Sequence, residues 1–148
     1  MSEFNPDTFL DTETEKSGET SYTPVPSDDY QAIIDDVVPR QTGDGSPILD
    51  VIYEIIDEDL KKEMGLDRVT VRQSIFLDMN NGVLEFGANK NIKLNRVREA
   101  VGQNLSGKPW SPRMLKGQGP VTIRVTQRPD KNDPDTIYND VSRVTSAA

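Results

Sequence analysis

The apolar positions of this chain follow two periods. From Tyr30 to Leu77 they recur mostly at every second residue, the pattern of strands with one buried face. YQAIIDDVV (30–38) is rich in β-branched residues and stops at Pro39. ILDVIYEII (48–56) sets Leu49, Val51, Tyr53 and Ile55 on one face and Asp50, Ile52, Glu54 and Ile56 on the other. QTGDGSP (41–47) reads as the turn between them. DEDLKKEMG (57–65) predicts one or two helical turns ended by Gly65. In RVTVRQSIFLD (68–78), Val69, Val71, Ile75 and Leu77 share a face opposite Arg68, Arg72 and Phe76. NNG (80–82) tolerates the positive φ values of a tight hairpin turn, so VLEF (83–86) should return as a short strand.

The period then lengthens. NIKLNRVREAVGQNL (91–105) spaces Leu94, Val97, Val101 and Leu105 by 3, 4 and 4 residues, with Asn91 placed to cap a helix and Lys93, Arg96 and Gln103 on its polar side. SGKPWSPRMLKGQGP (106–120) is irregular, with Ser111 and Pro112 suited to opening a single turn. PVTIRVTQR (120–128) and TIYNDVSRV (136–144) read as strands around a polar loop. Strands, one helix and two more strands predict a mainly β fold. The expectation is an OB-fold-like five-stranded barrel with one α-helix between strands 3 and 4, and another small β-barrel is the competing architecture. Residues 1–29 hold Pro6, Pro24 and Pro26 and follow neither period, which predicts an acidic flexible arm ahead of a nucleic-acid-binding domain over 30–148.

Charge changes the picture most. The net charge of −8 conceals an asymmetry, because residues 1–63 hold 17 acids against 4 bases whereas residues 88–128 hold nine bases against the single acid Glu99. Local charge governs contact when the Debye length is about 8 Å, so a basic segment on an acidic chain can still meet a polyanion. The competing reading is a solvated basic face that balances the acidic half. Cysteine and histidine are absent, which excludes disulfides, Cys/His zinc sites, thiol nucleophiles and histidine-based triads. No apolar run approaches the roughly 20 residues of a membrane-spanning helix, so no membrane association is expected.

Three motifs suggest chemistry and fail on inspection. GQNLSGK (102–108) has the spacing of a phosphate-binding loop, but Pro109 stands where a Ser or Thr would ligand magnesium. DKNDPD (130–135) lacks the glycine of a calcium loop and places Pro134 at a ligand position. The acids of DEDLKKE (57–63) lie in one local run rather than converging from separate strands. No catalytic machinery, metal site or cofactor is expected. What survives is a binding constellation. Trp110, the only tryptophan, lies among Lys108, Arg113 and Lys116, and Lys90, Lys93 and Arg96 precede it. Arg72 and Phe76 share one strand face, Arg124 and Arg128 another, and Tyr138 could serve groove or core. Aromatic rings among cations suit single-stranded nucleic acid, whose bases stack while its phosphates follow Lys and Arg. Trp110 as a plug over a barrel mouth is the bland counterpart, and Tyr53 reads as core.

KNIKLNRVREAVGQNLSGKPWSPRMLKG (90–117), the following strand, DPDTIYNDVSRV and the VPSDDY entry to the first strand carry a resemblance over residues 22–144. The chain resembles a bacteriophage family of small early proteins, which includes OB-fold single-stranded DNA-binding proteins and relatives of unknown function. The resemblance implies an OB-fold, DNA binding without catalysis, a place in the host cytoplasm, and protection of phage replication or recombination intermediates. The ending SRVTSAA departs from the acidic, apolar-tipped tail common in bacterial counterparts. Phe4, Phe9 and Leu10, set among acids, are therefore expected to dock on phage or host replication or recombination proteins. The competing function is a small acidic phage interaction or inhibitor protein that mimics DNA and acts through its acidic half.

Overall fold

The computed structural model describes residues 3–18 and 23–147. Its centre is a five-stranded antiparallel sheet built from β1 (Asp28–Gln41), β2 (Pro47–Ile55), β3 (Val69–Phe76), β6 (Val121–Pro129) and β7 (Ile137–Ser146), in the spatial order β3-β2-β1-β6-β7. A hairpin of β4 (Met79–Asn80) and β5 (Val83–Leu84) follows β3, and helix α3 (Ile92–Ala100) lies between that hairpin and β6. Two shorter helices are α1 (Pro6–Phe9) and α2 (Glu58–Met64), and a 3-10 turn spans Pro112–Leu115.

Alternation sets which face is buried. Leu49, Val51, Tyr53 and Ile55 of β2 meet Val69, Val71 and Ile75 of β3 and Val121, Ile123 and Val125 of β6 in one core, which α3 joins through Leu94 and Val97. Fully burying one such aliphatic side chain is worth about 1.5–3 kcal/mol, so this face fixes the register of the sheet. Tyr53 is core, as its place in the alternation implies. Its hydroxyl donates to Gln73 Oε1 at 2.8 Å, and burial pushes the phenol well above its ordinary pKa. Turn chemistry follows the sequence closely. Asp57 caps α2 by accepting from Asp59 N and Leu60 N, and Gly65 ends that helix at φ 67°. Asn81 and Gly82 take φ values of 53° and 78°, the conformation that the β4–β5 turn demands. Gly119 takes φ 132°, and a Cβ there would crowd Ala32 O at 3.0 Å.

Four expectations change. The sheet does not close into a barrel: β3 and β7 come into contact and share the core, but no ladder joins them among the described residues. Both strands give apolar side chains to the shared core, Val69, Val71 and Ile75 from β3 and Val141 and Val144 from β7. Helix α3 stops at Ala100 rather than running to Leu105, because Gly102 turns left-handed (φ 74°), and Leu105 is exposed. Asn91 does not cap α3 with its side chain; its amide instead accepts from Asp78 N and donates to Asp78 O and Glu85 O, tying the helix start to both ends of the β4–β5 hairpin. Finally, packing against the sheet begins before Tyr30. Val25 is buried, its N–H donates to Asn139 Oδ1 at 2.8 Å, its carbonyl accepts from Gln127 and Asn139, and β1 starts at Asp28.

Candidate functional site

A groove of about 1590 Å³ opens beside the far half of β1. β1 pairs with β6 only from Asp28 to Ala32. At Ile34 its edge is taken over by the chain after the 3-10 turn, through Ile34 N to Gln118 O (2.8 Å) and Gly117 N to Ile34 O (2.7 Å). A register shift between Ile34 and Asp36 then carries β1 away, and the space left is walled by the β4–β5 hairpin, α3 and the 104–116 segment. The lining combines aromatic and apolar groups (Trp110, Phe86, Leu105, Val83) with four cations, Arg98, Lys108, Arg113 and Lys116, against one acid, Asp36.

Local folding explains how these side chains are held. Gln103 is the hub. Its N–H donates to Arg98 O at 2.7 Å, its amide nitrogen donates to Met114 O at 2.9 Å, and its amide oxygen accepts from Trp110 Nε1 at 2.8 Å. The end of α3, the indole and the 3-10 turn are thus fixed relative to one another. Trp110 is half-buried against the core and stacks on the Arg98 guanidinium, 4.2 Å from the ring centroid, while Phe86 covers that guanidinium from 5.1 Å. Lys116 lies 3.8 Å from Asp36, whereas Lys108 and Arg113 form no ion pair with any described residue.

The residues expected to bind nucleic acid divide into four places. Lys108, Trp110, Arg113 and Lys116 line the groove together. Lys90, Lys93 and Arg96 are exposed at and along α3, outside the groove lining. Arg72 and Phe76 lie on the outer face of β3, where Arg72 approaches the buried Asp50 at 4.0 Å. Asp50 is tied more tightly to its neighbours. It accepts from Arg40 Nε at 2.6 Å and Ser74 Oγ at 2.7 Å, and although burial works to raise its pKa, these bonds and the charges of Arg40 and Arg72 hold it below the usual value. Arg124, Arg128 and Tyr138 occupy β6 and β7, already engaged. Arg124 meets Asp29 at 3.4 Å, Arg128 meets Asp140 at 2.9 Å and covers the Tyr138 ring, and the Tyr138 hydroxyl donates to Asp130. The Asp140 hydrogen bond raises the Arg128 pKa, and the Asp130 bond raises that of Tyr138.

Sequence reasoning missed Phe86 and the placement of Arg98. A signal existed for the arginine: it follows Leu94 by four residues and so shares the inward face of α3. In the N-terminal segment, Phe4, Phe9 and Leu10 are exposed, and the two phenylalanine rings touch at 5.2 Å across α1. No helix among the described residues is long and apolar enough to cross a membrane, and no group of three or more acidic side chains there could hold a metal ion. No protein-family model matches the chain, and no curated protein matches it significantly.

Proposed function

We propose that the chain is a non-catalytic single-stranded DNA-binding protein of bacteriophage type, and that its groove is the binding surface. The observation that carries the reading is the groove lining, where four cations and two aromatic rings surround an open channel with a single acid. Single strands demand that combination, because unstacked bases need flat apolar partners and the backbone needs cations along its path. We take the sheet order β3-β2-β1-β6-β7, with a helix between β3 and β6, as that of an OB-fold opened at its β3–β7 seam. On this reading the protein shields single strands during phage replication or recombination, in the host cytoplasm, and its exposed Phe4, Phe9 and Leu10 offer a docking point to proteins of those processes.

Fluorescence anisotropy of labelled oligo-dT across a salt series tests it. Binding at micromolar protein or tighter, weakening as salt rises with a log–log slope of about −0.7 per phosphate contact, is the expected result. Absence of binding at low salt excludes the reading and leaves the acidic interaction-protein function as its replacement.

A further inference from the structure

Of the groove cations that lack a carboxylate partner among the described residues, Arg98 is the buried one. Arg98 is only 6% exposed, no carboxylate lies within ion-pair distance of it among the described residues, and its Nε is buried without an acceptor. Its one hydrogen bond runs from Nη2 to Gln103 O, at a long 3.3 Å. Burying a guanidinium so poorly compensated is costly, and burial also pushes its pKa below the ordinary value. Acids are close in sequence, yet Glu99 is exposed and Glu85 contributes a carbonyl to Asn91 rather than a carboxylate to Arg98. Meanwhile the Phe86 and Trp110 rings lie 5.1 Å and 4.2 Å from Arg98 Cζ, and neither supplies an oxygen acceptor to the N–H edge of the guanidinium. That edge is where guanidinium binds a pair of anionic oxygens. One turn earlier on the same groove wall, Asn95 Oδ1 is also buried without a donor.

We propose that Arg98 anchors an anion subsite in the groove that takes a phosphate group of the bound strand, an inference that rests on the nucleic-acid reading and deepens it. The two ring contacts restrain the side chain before the ligand arrives, so little side-chain freedom is lost on binding. Lys108 and Arg113, unpaired on the same groove, extend the path to neighbouring phosphates.

Trp110 is the sole tryptophan and touches the guanidinium, so its emission reports on the groove around this subsite. The full chain and Arg98→Met are titrated with inorganic phosphate at constant ionic strength and, separately, with oligo-dT. Methionine keeps an unbranched apolar stem against the rings and removes the charge. The wild type should show a saturable change in emission with phosphate that Arg98→Met lacks. Oligo-dT affinity should fall about tenfold in the variant, with the salt slope smaller by about 0.7, and its Tm should not fall. Arg98→Lys, which retains charge without the fork, should weaken the phosphate response and leave the slope near wild type; it serves if the methionine variant does not fold. A saturable phosphate response without oligo-dT binding supports the subsite while removing the nucleic-acid reading. No saturable response in the wild type, or unchanged oligo-dT affinity and slope in Arg98→Met, overturns the subsite.

Discussion

The groove and the outer side of β6 and β7 both carry arginine beside an aromatic ring, but they spend those charges differently. On the strands, Arg128 covers Tyr138 while bonding Asp140, and Arg124 meets Asp29, so each cation has a carboxylate partner. In the groove, Arg98 lies against two rings with no carboxylate partner, and Lys108 and Arg113 are free of ion pairs, among the described residues. Exposed pairs of the first kind are worth little to stability and leave little net charge for a ligand. The second arrangement keeps its positive charge available. A count of bases along residues 88–128 treats the two alike; the pairing separates them.

That comparison can be broken most sharply by charge removal. Replacing Lys108 and Arg113 together with alanine should reduce oligo-dT affinity on the order of 30-fold at low salt and shrink the log–log salt slope by about 1.4. Replacing Arg124 and Arg128 should change both only slightly. If the strand pair costs as much as the groove pair, the distinction between engaged and available cations is wrong.

The two groove rings should behave differently from each other. Trp110→Ala removes a side chain packed on the core and bonded to Gln103, so about 2 kcal/mol of stability should go along with binding. Phe86 is exposed at 55%, and Phe86→Ala should cost about 1–3 kcal/mol of binding with little change in Tm. Thermal melts and oligo-dT titrations on both variants check this. A Phe86→Ala variant with wild-type affinity would remove that ring from the interface.

Asp50 shows what a buried charge looks like when it is satisfied within the fold. Its folded pKa is depressed, so its contribution to stability is present above the unfolded carboxylate value of about 3.9 and is lost as pH falls through the folded value. Asp50→Asn should cost about 1–3 kcal/mol at pH 7, and the deficit should narrow in acid melts as the wild-type carboxylate protonates. A deficit that is constant down to strongly acidic pH would mean that Asp50 charge is not what holds Arg40 and Ser74 in place.

The smallest effect belongs to the acidic segment ahead of the sheet. A chain shortened to begin at Thr23 retains the Val25 anchor and loses the exposed acids before it. It should bind oligo-dT a few-fold more tightly at low salt, and the difference should vanish as salt screens the segment. Equal affinity across the salt range would leave that segment without a part in DNA binding.

Much of this was legible in the residues because strands of period 2 and an Asn-Gly turn are local signals. Val69 to Ile75, Leu49 to Ile55 and the Asn81-Gly82 turn required no knowledge of the neighbouring strands. What escaped was decided by distant partners. Asp50 falls on the polar side of its strand by alternation, yet Arg40, Ser74 and Arg72 arrive from adjacent strands and cover it. Asn91 sits where a cap belongs but is claimed by Asp78 and Glu85 across the hairpin. The groove itself exists because β6 leaves β1 at Ala32, a point set by register rather than by any motif.

The claim that the groove, and not an outer sheet face, carries the DNA is tested most directly by photocrosslinking. Oligonucleotides bearing 5-iodouracil are irradiated on the full-length chain, and the adducts are mapped by peptide mass spectrometry. Bases stacked in the groove should attach to Phe86 and Trp110. Adducts concentrated at Phe76 or Tyr138, with Phe86 and Trp110 unmodified, would contradict the account.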